Sequence, residues 1–449
     1  MKRIIKSLSS TQIVLLGFLI VILIGSILLS LPLSSASGES VPYIDALFTA
    51  TSATCVTGLV TLPVVTTWSI FGQVVILLLI QIGGLGVITL VAGIMVMFSK
   101  HIGINSRILI QDSFNLNSMS GMVRFIKKVI IGTFIIEAIG AAFYMTVFIP
   151  EFGLKGIWIS VFNAVSAFCN AGIDIIAENS LCVYALNPIV NFTTSALVIL
   201  GGIGFIVWWD VVRLVKDKRH RHFRFLTLHS KIVLIVNACL IFGGAALFLI
   251  FEHNNPLTMQ DFSWLEKIQA SVFQSVTTRT AGFATIPQEN FTNASAFVSL
   301  LLMFIGGSPV GTAGGIKTVT FLVLLSTVAS VIRNKKTVDI FNRQLSDKTI
   351  RKAVAVFAAS FAVMILSTML LCAVSNADFL DVIYEAVSAT ATVGLTRNFT
   401  SSLDALGKII IIATMYFGRV GPISMVVAFN MKKGSNNIIV NPVEEINVG

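Results

Sequence analysis

Four octapeptides, SATCVTGL, SAFCNAGI, VTTRTAGF and SATATVGL, carry the residues best suited to chemistry in this chain. Each ends one residue after a glycine, and the four glycines, Gly58, Gly172, Gly282 and Gly394, stand 114, 110 and 112 residues apart. What these stretches offer is backbone oxygen. A strand that turns successive carbonyls to one side must visit backbone angles that favour glycine, and carbonyl oxygens can take the place of a cation's water shell. The candidate set is Val56, Thr57 and Gly58; Asn170, Ala171 and Gly172; Thr280, Ala281 and Gly282; Thr392, Val393 and Gly394. Their side chains differ from copy to copy, as readout by backbone allows. A single Thr-Gly or Ala-Gly pair would signify a turn or a close helix contact; recurrence at matched spacing reverses that reading.

The elements that position these stretches repeat with them. Each unit opens with a long apolar segment, at about 11–31, 129–149, 232–251 and 353–374. A shorter, semi-polar helix then runs into the glycine: YIDALFTATSA, IWISVFNAVSA, LEKIQASVFQSVT and VIYEAVSATA. A second apolar segment follows, holding QIGGLG, ILGGIG, FIGGSPVG or YFGRVG. Of the 449 residues 55% are hydrophobic and 12% charged, and the mean hydropathy is +0.90. Soluble domains carry roughly twice that charged fraction, and a spanning helix needs roughly 20 mostly apolar residues. The expected fold is an all-α polytopic membrane protein, four tandem helix–pore loop–helix repeats with eight spanning helices around one pseudo-fourfold pore. The units run 1–100, 101–220, 221–345 and 346–449, the last with a C-terminal tail.

Charge placement supports that topology. Twenty-four of the 31 basic residues fall in the N-terminal tail, the three inter-repeat loops and the C-terminus, as the positive-inside rule requires if both ends of every repeat face the cytoplasm. Among them are Lys2, Arg3, Lys6, Lys100, Arg107, Lys432 and Lys433, and the run RLVKDKRHRHFR, Arg213 to Arg224. That run is an inside-positive anchor or a docking site for an acidic partner surface. Carboxylates gather on the other side, among them Asp45, Glu151, Asp174, Asp381, Glu385 and Asp404, either as solvated loop ends or as an acidic rim that concentrates cations.

The third unit differs. GGSPVGTAGGIKT, Gly306 to Thr318, places five glycines and a proline inside an apolar segment. Helix interiors lose roughly 1 kcal/mol per glycine and about 3 per proline relative to alanine, so an unwound stretch over 305–317 is expected. Non-helical backbone at membrane depth must line a cavity, just beyond the glycine strands, where it can act as a gate. Its candidate residues are Gly306, Gly307, Ser308, Pro309, Gly311, Thr312, Gly314, Gly315 and Lys317. Arg419, in YFGRVG at the equivalent depth, joins them as donor to the loop's free carbonyls or as an electrostatic barrier, because a mid-membrane cation costs at least ~2.5 kcal/mol and is usually functional. Arg279 is discordant beside a cation path and is expected to point away from it, with Glu385 as one candidate partner.

Enzyme chemistry finds little support. Cys55, Cys169, Cys182, Cys239 and Cys372 show no metal or disulfide spacing, the five histidines lie outside the strongly apolar runs, and no nucleophile–base set stands out. A cleaved signal peptide, with Lys2, Arg3 and Lys6 before the first apolar run and SSASG after it, is disfavoured by the length of that run. The net charge of +10 is accounted for by topology, which excludes nucleic acid as a partner. A polytopic enzyme and a membrane scaffold remain the rival classes.

The four glycine stretches, GGSPVGTAGGIKT and YFGRVG resemble the membrane subunit of the Trk/Ktr/HKT superfamily of potassium-translocating proteins, over essentially the whole chain. Two spans per unit, with no extra N-terminal pair, place it nearer the Ktr type than the longer Trk type. The resemblance implies a selectivity filter at Gly58, Gly172, Gly282 and Gly394, a gate loop over Gly306 to Gly315 and a gate-facing Arg419. It implies a homodimer in the plasma membrane with cytoplasmic termini, seated on an RCK-type nucleotide-binding (ATP/ADP) regulatory ring. The transported ion would be K+, with Na+ as an optional coupling ion and no organic cofactor; Gly58, where related sodium-preferring plant proteins carry serine, favours potassium. A sodium or mixed-cation conductor is the alternative within the same architecture.

Overall fold

The structure, a computed structural model, describes residues 10–86, 122–217 and 223–421. The expectations resting on Lys2, Arg3, Lys6, Lys100, Arg107, Lys218, Arg219, Arg221, Lys432 and Lys433, and on the boundaries at 100 and 220, fall outside those residues. The first unit holds α1 (Ser10–Leu29), α2 (Tyr43–Cys55) and α3 (Ile70–Leu85). The second holds α4 (Met122–Phe152), α5 (Lys155–Phe168), α6 (Pro188–Gly202) and α7 (Phe205–Lys216). The third holds α8 (Leu228–Glu252), α9 (Trp264–Thr277), α10 (Asn293–Phe304) and α11 (Thr318–Ile332), and the fourth α12 (Asp347–Val374), α13 (Phe379–Ala391) and α14 (Ala405–Val420). A two-stranded hairpin pairs Asp339–Ile340 with Arg343–Gln344.

Helix is the form these apolar runs must take, since lipid offers nothing to pair with the backbone. The first long helices α1, α4, α8 and α12 are continuous, apolar and long enough to cross a membrane. The helix after each glycine stretch, α3, α6, α10 and α14, starts at a capping side chain: Ser69 accepts from Gly72 N, Asn187 from Val190 N, Thr292 from Ser295 N and Asp404 from Gly407 N. Each cap satisfies one of the N–H groups that the first helical turn leaves without a partner.

The units pack in a cycle. Helix α3 lies against α5 of the second unit, α6 against α9 of the third, α10 against α13 of the fourth, and α14 closes back on α2 of the first. The ring brings the C-terminal ends of α2, α5, α9 and α13 to one place.

The break expected in the third unit has a counterpart in the second among the described residues. Helix α6 stops at Gly202 and turns by 99° into α7. Gly204 supplies the turn with φ 90° and ψ 140°. Gly86 at the end of α3 (φ 83°, ψ 134°) and Gly421 at the end of α14 (φ 88°, ψ 127°) adopt the same conformation. That region is closed to residues bearing a Cβ, so the final glycine of QIGGLG, ILGGIG and YFGRVG is a helix stop. In the third unit the interruption is longer, from Ile305 to Lys317.

Much of the acidic rim is also built into the fold. Asp45, 6% exposed, pairs with Lys408 at 2.6 Å and so ties the first unit to the fourth. Asp381 pairs with Arg397 at 2.7 Å, and Arg397 reaches on to the carbonyls of Gln288 and Glu289 in the third unit. Glu385 is buried and accepts from Thr396 and Thr400. Removing one partner of a buried pair strands the other charge. Lys408→Met is therefore expected to lower the melting temperature in detergent by about 5 °C, with the Asp45→Asn/Lys408→Met double variant recovering most of the loss; equal melting of all three proteins would make the pair neutral.

Candidate functional site

The four glycine stretches meet. A methyl group built on Gly58 would lie 2.6 Å from the Ala171 carbonyl oxygen, one on Gly172 would lie 2.5 Å from that of Ala281, and one on Gly282 would lie 2.5 Å from that of Val393. One on Gly394 would strike the Thr57 carbonyl and so close the circle. Each unit's glycine thus faces the middle residue of the next, in chain order, around one axis.

Backbone angles explain how the strands present oxygen. Val56, Asn170, Thr280 and Thr392 have φ of 56°, 59°, 61° and 52°, and the glycines two residues on have φ of 99°, 63°, 82° and 98°. The residues between them are not in that region, so handedness alternates and successive carbonyls fall on one side. Three of the four leading residues are β-branched, for which a positive φ is an outlier, at a cost of about 1–3 kcal/mol each. Strain of this kind persists where a site needs it.

Donors and acceptors divide cleanly. In the first unit Thr57 N bonds to the carbonyl of Ser52 (2.8 Å) and Gly58 N to its hydroxyl (3.0 Å). Ser388 plays both parts for Val393 N and Gly394 N, at 2.8 and 3.0 Å. Ser166 does so for Ala171 N and Ile173 N. None of the twelve carbonyl oxygens accepts a hydrogen bond among the described residues. Buried acceptors without partners are rare in folded proteins, and a ring of them has the chemistry to replace a cation's water shell. The helices α2, α5, α9 and α13 end against the ring and add the partial negative charge of their C-termini. The three serines were the functional residues missed in the sequence, although each opens its octapeptide; the third unit has Val276 there and uses Thr277, whose hydroxyl donates to Phe283 O.

The interrupted stretch of the third unit lies directly against the ring. Thr312 Oγ1 donates to Asn170 Oδ1 (2.7 Å) and to Phe168 O (3.1 Å), and Gly314 N donates to Thr280 Oγ1 (3.1 Å). Gly307 N bonds to Gly314 O and Thr318 N to Gly307 O, folding the loop on itself. The break in the second unit cradles it: Ser308 N bonds to Gly202 O, Thr312 N to Gly201 O and Phe205 N to Val310 O. Gly306 packs on Gly314 and Gly315, Gly204 faces the carbonyl of Pro309, and Gly311 lies against Gly201 and Gly204, contacts that leave no room for side chains. Lys317 Nζ caps the loop's own Ala313 carbonyl at 2.6 Å. Arg419 spans three units, with Nη1 donating to Thr312 O (2.5 Å) and Nη2 to Gly83 O.

Arg279 is buried and turned away from the ring, and its partner is Asn237 on α8, not Glu385. Asn237 Nδ2 in turn donates to Ser308 Oγ of the loop at 3.0 Å. The sequence held no signal for this, because Asn237 stands alone in an apolar helix. Beyond the second strand Asp174 is 9% exposed, and burial pushes its carboxyl up to about 6, against hydrogen bonds from Ser180, Ile176 and Ala177.

Residues 5–439 match the family model described as TrkH, cation transport protein. The chain is 40% identical over its whole length to the potassium/sodium uptake protein NtpJ of Enterococcus hirae, covering 99% of that protein. It is 39% identical to the Ktr system potassium uptake protein B of Bacillus subtilis, over 95% of this chain and 94% of the relative. The crystal structure of the potassium transporter TrkH from Vibrio parahaemolyticus superposes with a TM-score of 0.72 at 16% identity, over 92% of this chain and 85% of that one, a likeness of fold.

Proposed function

The chain belongs to the TrkH family of cation transport proteins, and we propose that it takes up potassium across the plasma membrane through the four-strand ring. It is a transporter, not an enzyme. The observation that carries the reading is that ten of the ring's twelve N–H groups are bonded outward while its carbonyls accept no hydrogen bond among the described residues. A cation entering from the outer side exchanges water for these oxygens, which removes the desolvation cost that otherwise bars it. Val56 to Gly58, Asn170 to Gly172, Thr280 to Gly282 and Thr392 to Gly394 are the filter.

The loop over 305–317 is the gate. Arg419 and Lys317 hold it across the exit and set positive charge where a departing cation would pass. Opening requires the loop to leave Asn170, Thr280 and Arg419, so the gate and the filter share contacts. The homodimer, the cytoplasmic termini, the four units as modules and the RCK-type ring that senses ATP or ADP belong to the same proposal; the relatives named as proteins of a Ktr system support a multi-component assembly. Sodium is either a coupling ion or a second cargo; the 40% identical relative named a potassium/sodium uptake protein favours keeping mixed conduction as the second reading.

Expression together with its regulatory partner in a bacterium lacking potassium uptake is expected to restore growth at low potassium, and purified protein in liposomes to pass K+ with and without Na+. Absence of both from correctly inserted protein would sink the function, and equal K+ and Na+ flux would establish the mixed reading. Ser388→Ala orphans Gly394 N at a cost of about 1–3 kcal/mol and is expected to lower K+ over Na+ discrimination several-fold. Unchanged discrimination would show that the serine does not position the strand.

A further inference from the structure

Glu137 stands midway along α4, fifteen residues from either end, or ~22 Å of helix. It is 5% exposed. Its Oε2 accepts one bond, from Gln81 Nε2 on α3 at 3.3 Å. Its Oε1 is buried without a partner among the described residues, as is the hydroxyl of Thr133 one turn earlier on the same face. No basic side chain among those residues pairs with it. A carboxylate so placed is an uncompensated charge, and an ionisable residue at mid-membrane is functional by default.

Its neighbours connect it to the ion path. Gln81 Oε1 accepts from Cys169 Sγ at 3.6 Å, and Cys169 directly precedes Asn170 of the second strand. Gln81 lies two residues before Gly83, whose carbonyl takes Arg419. We propose that Glu137 is a proton-binding site within the membrane: neutral when the proton is bound, and a negative charge behind the second filter strand when it is released. The coupling to transport rests on the reading of the ring as the ion path; the proton site does not.

Other groups that could titrate here are few. Helices α3 and α6 carry no ionisable side chain over Ile70–Leu85 and Pro188–Gly202, and α5 carries only Lys155 at its start. On α4, Arg124, Lys127 and Lys128 lie near the cytoplasmic end, and Lys128 sits over the Trp209 ring. Tyr144 is bonded to Thr194, and Glu151 near the outer end accepts from Tyr184. Helix α7, whose Trp208 and Trp209 lie beside Gly132 of α4, carries Lys216 and Asp210, the latter bonded to Arg213 and Thr227; the Cys169 thiol and the Arg419 guanidinium also lie near, the latter held by backbone carbonyls.

Release of the proton adds attraction for a cation, so the KM for K+ is expected to fall about tenfold as pH rises through the titration. Glu137→Gln keeps the shape and the amide contact but cannot ionise; it should hold the low-pH KM and lose this component, while any titration of Asp174 persists in both proteins. Gln81→Leu removes the donor that favours the ionised form and should move the profile to higher pH. Infrared spectra of the full chain in lipid give a readout independent of flux: a protonated-carboxyl band present at low pH, lost on raising pH, and missing in Glu137→Gln. The same band titration in Glu137→Gln overturns the site. Loss of the band with an unchanged pH profile of KM overturns its coupling to transport. Failure of K+ flux in every protein overturns the transport reading instead, with the infrared result still deciding the site.

Discussion

Serine in place of Gly58 is expected to lower the K+ over Na+ permeability ratio by about tenfold or more. Gly58 has φ +99°, and a Cβ there would lie 2.6 Å from Ala171 O and 3.2 Å from the Cα atoms of Gly172 and Gly394. None of those atoms is the end of a flexible side chain, so backbone must move. Discrimination between two monovalent cations is a difference of binding energies, and 1.4 kcal/mol of that difference is tenfold; the positive-φ strain alone is about 1–3 kcal/mol. Gly38→Ala is the control, since Gly38 also has a positive φ of +76° but open space around it. Bi-ionic measurements in liposomes should show the ratio falling for Gly58→Ser and holding for Gly38→Ala. An unchanged ratio in Gly58→Ser would remove the first strand from the filter.

Freeing the loop is expected to raise K+ flux about tenfold, with the route of release deciding what happens to selectivity. Deleting Gly311 to Gly315 removes the obstruction, but it also removes the Thr312 and Gly314 contacts to Asn170 and Thr280. Flux should rise and discrimination should fall together. Arg419→Gln leaves those contacts and loses charge-assisted bonds to Thr312 and Gly83, each of the kind that contributes about 1.5–3 kcal/mol. Flux should rise in that variant with discrimination retained. Lower or unchanged flux in both, in folded and inserted protein, would show that the loop is no gate.

Periodicity made the ring of four strands legible. One chain with four matched glycines has few ways to satisfy them other than around an axis, and the structure joins Gly58, Gly172, Gly282 and Gly394 in that order. Composition likewise foretold the break at Gly306 to Gly315, since five glycines and a proline cannot sit in a helix without cost. The break at Gly204 was not legible, because GGIG reads equally as a close helix contact; only the packing of the loop against Gly201 and Gly202 distinguishes the two. Asp45 read as a loop-end or rim carboxylate because its partner, Lys408, lies 363 residues away on another unit, and Asp381 and Glu385 because Arg397 and Thr400 reach them only when the loop after the fourth strand folds back on α13.

By itself, then, the sequence determined what recurs along the chain: the four matched glycine stretches with their backbone oxygens, the clustering of basic residues in the tails and the loops between units, and the stretch that could not be helix. Period, hydropathy and glycine content are local properties, and local properties survive in one dimension. Tertiary structure alone decided which groups face each other: Asn237 rather than Glu385 for Arg279, the serine hydroxyls that hold the strands, Arg419 bridging Thr312 and Gly83, and the lone carboxyl of Glu137 beside Gln81. The serine bonds and Arg279–Asn237 lie within one unit, between a helix and its own strand or neighbour; the Arg419 and Glu137 contacts join units distant in the chain. Such a contact is fixed by the closing of the ring, which places the fourth unit against the first.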